Sequence, residues 1–293
     1  MALVNLSTIL SDARKKHYAV PAFDVSNMEM IRAVADVCEE EKSPAIFMLL
    51  NADMDGIGLK MLVDEIKSVA SQISVPVCIH HDHAASFDQI ARSIDAGVTS
   101  VMIDGSTLPF EENIRITKQV VDYAHPKGIT VEAELGHVAD AIGGLTETKT
   151  ASASDDDIEK ALTNPADAKA FVEKTGVDCL AVAIGTAHGV YVSTPTLRLE
   201  LLKKIEAASP CPLVLHGGSG TPDPDVQKAI ALGITKINIY SEVLAAMNTG
   251  LKEKLATLDN TSAWPCVVFS IAREKMREVI RHKIRTFGSN GKA

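Results

Sequence analysis

Strand-like and helix-like segments alternate from one end of this sequence to the other, and that rhythm narrows the fold more than any other feature. Short apolar runs at Tyr18–Phe23, Ala45–Leu50, Val77–Asp82 and Ser100–Asp104 read as buried parallel strands, as do Thr130–Leu135, Cys179–Ile184, Leu213–His216 and Ile234–Ile239. Helical spacing fills most of the gaps. Asn27–Glu41 carries Met30, Ile31, Val34, Val37 and Cys38 on one face. Leu59–Ser71, Ser86–Ala96, Phe110–Ala124, Thr196–Ala207 and Asp225–Leu232 behave likewise, and another helix starts near Glu242. Gly97 stands where a helix would end in a left-handed cap. Eight strand-then-helix units with short turns predict the α/β class, as a (β/α)8 TIM barrel forming a single domain over 1–293. A doubly wound open sheet is the competing architecture, but it would gather ligand residues at one switch point.

Two segments break the rhythm. Residues 136–164 are small and polar, including Gly143-Gly144 and Asp155-Asp156-Asp157. They predict a long loop after the fifth strand, of the kind that serves as a lid. The tail 264–293 predicts a charged helix around Ala272–Lys283 that covers the barrel or reaches a neighbouring subunit.

Composition bounds the partners. The net charge of −9 argues against non-specific binding to nucleic acid or an anionic membrane. An anionic substrate must then be held by local groups: a metal, backbone N–H groups or a helix N-terminus. The five cysteines (Cys38, Cys78, Cys179, Cys211 and Cys266) are scattered and form no Cys-x-x-Cys. That pattern predicts no disulfide framework and a reducing, cytoplasmic setting. Asp12, Arg14, Lys15, Lys16 and His17 interrupt the start of the chain, so no secretory signal is expected there. No run of about 18 apolar residues occurs, and no membrane span is expected.

Polar residues collect at the carboxyl ends of the strands, where an α/β barrel keeps its chemistry. The third strand ends in His80-His81-Asp82-His83, the fourth in Asp104, and the fifth carries Glu132 and Glu134. His188 follows the sixth strand, His216 ends the seventh, and Asn238-Ile239-Tyr240-Ser241 ends the eighth. One histidine on an apolar strand is more often a hydrogen-bonded core residue than a ligand. An Asp after a strand is also an ordinary helix cap. Three strands ending in His, with carboxylates between them, form a stronger pattern because barrel strand ends converge on one mouth. Three neutral imidazoles plus an open position suit catalytic zinc. Asp104 and Glu134 could orient those ligands or form a second metal position. The run Gly217-Gly218-Ser219-Gly220 lets backbone N–H groups approach an anion, and 238–241 offers the equivalent after the eighth strand. Tight turns need Gly in any case, but beside three histidines a phosphate site is the better reading.

With these blocks assembled, the chain resembles the class II, zinc-dependent fructose-bisphosphate and tagatose-bisphosphate aldolases over essentially its whole length. The similarity is strongest at 80–83, 101–106, 131–136, 181–191, 213–220 and 236–238, and it points to the tagatose-bisphosphate and ketose-phosphate branch. The resemblance implies that His83, His188 and His216 bind zinc and that Asp104 and Glu134 can hold a second or displaced zinc. It implies that Asp82 is the acid/base on the aldehyde oxygen and that Asn238 stabilises the enediolate. Gly189, Gly217, Gly218, Ser219, Asn238, Ile239, Tyr240 and Ser241 would hold dihydroxyacetone phosphate together with a monovalent cation, Na+ or K+. The implied reaction is reversible cleavage of a ketose 1-phosphate or 1,6-bisphosphate to dihydroxyacetone phosphate and an aldehyde. A sugar phosphate is the expected partner, and a homodimer or homotetramer the expected assembly.

Three departures from the family pattern stand out. The run Phe47–Asp53 lacks the Ser or Gly that usually helps to hold phosphate after the second strand. A Gly-Gly-Glu-Glu-type stretch after the fifth strand is replaced by His137-Val138-Ala139-Asp140-Ala141, leaving Asp140 or Glu147 as candidate proton acceptors. Tyr240 stands where Asp or Ala is familiar, so the aldehyde could differ from glyceraldehyde 3-phosphate. Lys236 begins the eighth strand and reads as structural or surface, not as a Schiff-base lysine. Two rival readings remain. One is a barrel zinc hydrolase using His81-x-His83 as paired ligands; the other is a non-catalytic zinc-binding subunit of an aldolase complex.

Overall fold

A computed structural model describes residues 3–138, 155–189, 195–260 and 262–293. In chain order, α1 (Leu6–Lys16) leads into β1 (Val20–Asp24), α2 (Met28–Glu41) and β2 (Ala45–Leu49). A short turn α3 (Asn51–Asp53) and a π-helical stretch (Met54–Gly58) precede α4 (Leu59–Ala70). Next come β3 (Val77–Ala84), α5 (Phe87–Ala96), β4 (Ser100–Ile103), α6 (Phe110–Ala124) and β5 (Thr130–Leu135). After α7 (Asp155–Ala161) and α8 (Pro165–Thr175) follow β6 (Cys179–Val182), α9 (Leu199–Ala208), β7 (Leu213–Leu215) and α10 (Asp223–Ala231). The chain closes with β8 (Ile234–Ile239), α11 (Ser241–Leu255), α12 (Pro265–Val268) and α13 (Ser270–Phe287). All strand pairs are parallel, and β1 pairs with both β2 and β8, so the sheet closes into the eight-stranded barrel expected.

Side chains alternate across each strand, and this splits the apolar core into two. Phe23, Phe47, Ile79, Val101, Val131, Leu180, Leu215 and Ile237 point outward and pack beneath the helices. Val20, Ala22, Ile46, Met48, Cys78, Cys179, Ala181 and Val214 point inward. The N-terminal helix α1, which the strand–helix rhythm did not single out, closes the lower end of that inner core with Leu6, Ile9, Leu10 and Ala13. Asn5 starts this helix by accepting a hydrogen bond from the Thr8 N–H. Gly97 caps α5 with φ +99°, as its position predicted.

The segment expected as loop over 136–164 contains the helix α7, and residues 158–161 continue into the cap Asn164 of α8. Asp140 and Glu147 lie outside the described residues. The tail helix α13 is longer than predicted. It packs Ala272, Met276, Ile280, Ile284 and Phe287 into the outer core. Its outer face ties Arg277, Arg281 and Arg285 to Asp36, Glu40 and Glu41 of α2. Among the described residues, no helix is long and apolar enough to cross a membrane.

Candidate metal centre and active site

Because the strands are parallel, their carboxyl ends open at one mouth, and three imidazoles meet there. Ring centroids lie 4.8 Å apart for His83 and His216, 5.0 Å for His83 and His188, and 5.7 Å for His188 and His216. The three rings can present ligand atoms within 4.8 Å of one another. His83, Asp104 and Glu134 form a second such group, sharing His83. The His83 ligand owes its aim to a local irregularity. The β3–β4 register shifts between His81 and Ala84, and His83 adopts φ +51°. That left-handed backbone lets consecutive residues Asp82 and His83 both face the mouth, with His83 Nε2 3.8 Å from Asp82 Oδ2. Asn51 donates to the His83 carbonyl at 3.0 Å and braces the bend.

The donor set fits a metal on its own terms. His216 Nδ1 and Glu134 Oε2 lie 3.0 Å apart, both fully buried, yet neither has a hydrogen-bond partner. Buried this deeply, the pair is costly unless positive charge satisfies it, whether a proton on His216 or a metal cation between the two atoms. The surrounding field asks for positive charge. Burial disfavours an imidazolium at His83, but Asp82 and Asp104 outweigh it and raise the ring to about 9. Burial likewise opposes charge at His216, while Glu132 and Glu134 carry it up to about 10. Burial alone would raise Asp82; His83, His80 and Lys236 instead hold its carboxyl well below the usual carboxylate range. The same contest, won by His83 and Ser106, lowers Asp104.

Below the mouth lies a buried polar column. His216 Nε2 bonds to Glu132 Oε1 at 2.9 Å. Lys236 Nζ sits 2.9 Å from Glu132 Oε2 and donates to Asn238 Oδ1 at 2.8 Å. Asn238 Nδ2 donates to Asp82 at 3.1 and 3.3 Å. Lys236 is therefore not a surface residue: its side chain is fully buried on the barrel axis. Alternation explains this, since Lys236 shares the inward parity of Asn238. His80 joins the same layer, with Nδ1 2.8 Å from Ser100 Oγ.

His81 faces the other way. Its ring is buried between Ser93 Oγ at 2.7 Å and Asn51 Oδ1 at 3.1 Å, outside the metal groups. The paired-ligand motif required by the hydrolase reading is thus not formed. The side chain of Ile239 lies in the outer core, so only its backbone can reach a ligand. Gly217 and Gly218 form the turn after β7, where the Gly218 N–H bonds to the Asn238 carbonyl at 3.2 Å and stitches the β7 and β8 ends together. Ser219 Oγ accepts from the Tyr240 N–H at 3.2 Å. The Gly220 N–H donates to Glu242, which is also held by Lys283 of α13 at 2.7 Å. Tyr240 and Ser241 flank this turn partly buried, and Gly189 is half-buried with φ +97°. Asp24, which the sequence reading did not place in the site, ends β1 at the mouth. Its carboxyl is 4% exposed, with Oδ1 lacking a partner, and burial and Asp82 push it up. The readable signal was an acidic residue at inward parity closing an apolar strand.

Comparison with known proteins agrees with this geometry. The sequence model described as "Fructose-bisphosphate aldolase class-II" matches residues 4–292. A fructose-bisphosphate aldolase of Geobacillus stearothermophilus is 40% identical, over all of this chain and 99% of the relative. The crystal structure of the YdjI aldolase from Escherichia coli K12 superposes with a TM-score of 0.86 at 39% identity, covering 99% of both chains. The fructose-bisphosphate aldolase structure from Campylobacter jejuni shares the fold at 22% identity and TM-score 0.82, over 100% of this chain and 97% of that one. The chain belongs to the class II fructose-bisphosphate aldolase family, and it is an aldolase, a carbon–carbon lyase.

Proposed function

We propose that this aldolase is zinc-dependent and reversibly cleaves a ketose 1-phosphate or 1,6-bisphosphate to dihydroxyacetone phosphate and an aldehyde. The observation that carries the reading is the convergence of three imidazoles beside a buried, low-pKa carboxylate at the barrel mouth. His83, His188 and His216 would hold the zinc, with Asp104 and Glu134 beside them as an alternative position. Bound zinc supplies Lewis-acid stabilisation of negative charge on the substrate's ketone oxygen. Asp82, held as a carboxylate, accepts the proton of the C4 hydroxyl as the carbon–carbon bond breaks and returns one to the aldehyde oxygen in condensation. The Asn238 amide reaches the same space and offers an N–H to a developing oxyanion. Gly189, Gly217, Gly218, Ser219 and the backbone of 238–241 would cradle the phosphate, alongside a monovalent cation. The name of the Geobacillus relative favours a bisphosphate substrate, while Tyr240 at the mouth favours a different aldehyde half. By resemblance, the working unit is a cytoplasmic homodimer or homotetramer. Zinc-loaded protein incubated with dihydroxyacetone phosphate and a panel of aldehydes should yield a ketose phosphate. If dihydroxyacetone phosphate is returned unchanged with every aldehyde, the reading is wrong.

A further inference from the structure

The fully buried ammonium of Lys236 bonds to both branches of the site. On one side it pairs with Glu132 at 2.9 and 3.2 Å, and Glu132 in turn accepts from His216 Nε2. On the other side it donates to Asn238 Oδ1, and the opposite end of that amide faces both oxygens of Asp82. A lysine ammonium only donates, and a carboxylate only accepts. The direction of every bond in the column follows from those two facts. Asn238 must turn its oxygen to Lys236 and its NH2 to Asp82. His216 must carry its proton on Nε2, which leaves Nδ1 as the atom facing His83, His188 and Glu134. Without the ammonium the Asn238 amide would keep its NH2 on Asp82 but leave Oδ1 as a buried acceptor with no anchoring donor, and Glu132 would lose its lysine anchor.

We infer that Lys236 is a positioning residue that sets, from inside the barrel, both the orientation of Asn238 against Asp82 and the placement of Glu132 behind the ligand His216. The position gives a buried lysine a role where an apolar side chain would fill the axis at lower desolvation cost. The turnover part of this inference rests on the aldolase reading above; the metal part does not.

The test uses the full-length protein loaded with zinc. In Lys236→Met, zinc should leave for a chelator about ten to a hundred times faster, as expected when the partner behind a ligand histidine is disturbed. Lys236→Met combined with Glu132→Gln removes both buried charges and guards against a variant that fails to fold. In that double variant the new amide oxygen still accepts from His216, so zinc release should return toward the wild-type rate while Asn238 remains unanchored. Its kcat should fall by about 10²-fold, the scale of a misplaced reacting group, with KM moving far less. In an Asn238→Ala background the same double change should cost kcat little further, because the route through Asn238 is already cut. A merely structural lysine would give equal losses in both backgrounds. Equal losses, or wild-type zinc release in Lys236→Met, would overturn the inference. If wild-type protein shows no aldolase turnover at all, the reaction assignment fails, and the zinc-release measurement still decides the role of Lys236 at His216.

Discussion

At the scale of single residues, the proposed function separates holding a metal from moving a proton. His83 touches Asp104 at 2.9 Å and faces two other imidazoles, whereas Asp82 is held from below by Asn238. His83→Ala should therefore remove bound zinc and activity together. Asp82→Ala should keep zinc close to one per chain and lower kcat by about 10²-fold or more, the contribution of a positioned acid/base. Metal content by atomic absorption and turnover on the same samples check both, and an active Asp82→Ala variant would remove its assigned role. Which strand-end histidines point to the mouth was only partly legible in the sequence. His83 and His81 have the same parity, so alternation alone sends both outward. The bulge and the left-handed backbone at His83 break that parity, and nothing local in His80-His81-Asp82-His83 announces them. For Lys236, read as structural or surface, the structure keeps the structural alternative, and the sequence could not choose between the two for a different reason. Its partner Glu132 lies 104 residues away, and a closed barrel is needed to bring them together.

At the scale of elements, the turn after β7 carries constraints that its glycines alone reveal. A Cβ on Gly217, whose φ is +67°, would meet the Ala187 carbonyl oxygen at 2.3 Å, next to His188. Gly217→Ala should destabilise the protein by about 2–5 kcal/mol, combining left-handed strain with overpacking. Gly128→Ala, with φ +73° and open space around the new methyl, carries only the strain of about 1–2 kcal/mol. Urea unfolding of the two variants checks this, and equal losses would mean that the Ala187 contact yields freely. The strands themselves were readable because each is a short apolar run closed on both faces. Their ends moved by one or two residues, as at β1, which runs to Asp24 instead of stopping at Phe23. The helix α1 escaped notice because it lies outside the strand-then-helix repeat, although Leu6, Ile9, Leu10 and Ala13 mark its buried stripe. The helix α7 was hidden by a polar composition that fits a loop equally well.

At the scale of the whole molecule, the tail helix is fastened to the barrel by apolar packing inside and ion pairs outside. The Arg285 hydrogen bond leads in lowering Glu41, and at Glu40 the Arg277 and Arg281 bonds outweigh the opposing effect of burial. A carboxyl lowered in the folded state stabilises it fully above the unfolded value, about 4.3. That stabilisation fades as pH drops through the folded value. The melting temperature should thus fall as pH is taken from about 5 toward 3. Glu40→Gln with Glu41→Gln should lower it at pH 7 and flatten the fall; an unchanged slope would show that these pairs contribute nothing. The inner face of the same helix reaches further. Lys283 holds Glu242, and Glu242 holds the Gly220 amide at the edge of the turn after β7, the proposed phosphate cradle. The tail helix is thus only two side-chain links away from the proposed phosphate cradle. On the proposed reading of that turn, mounting the protein by its C-terminal end should loosen its grip on phosphorylated compounds while its overall folding stays intact.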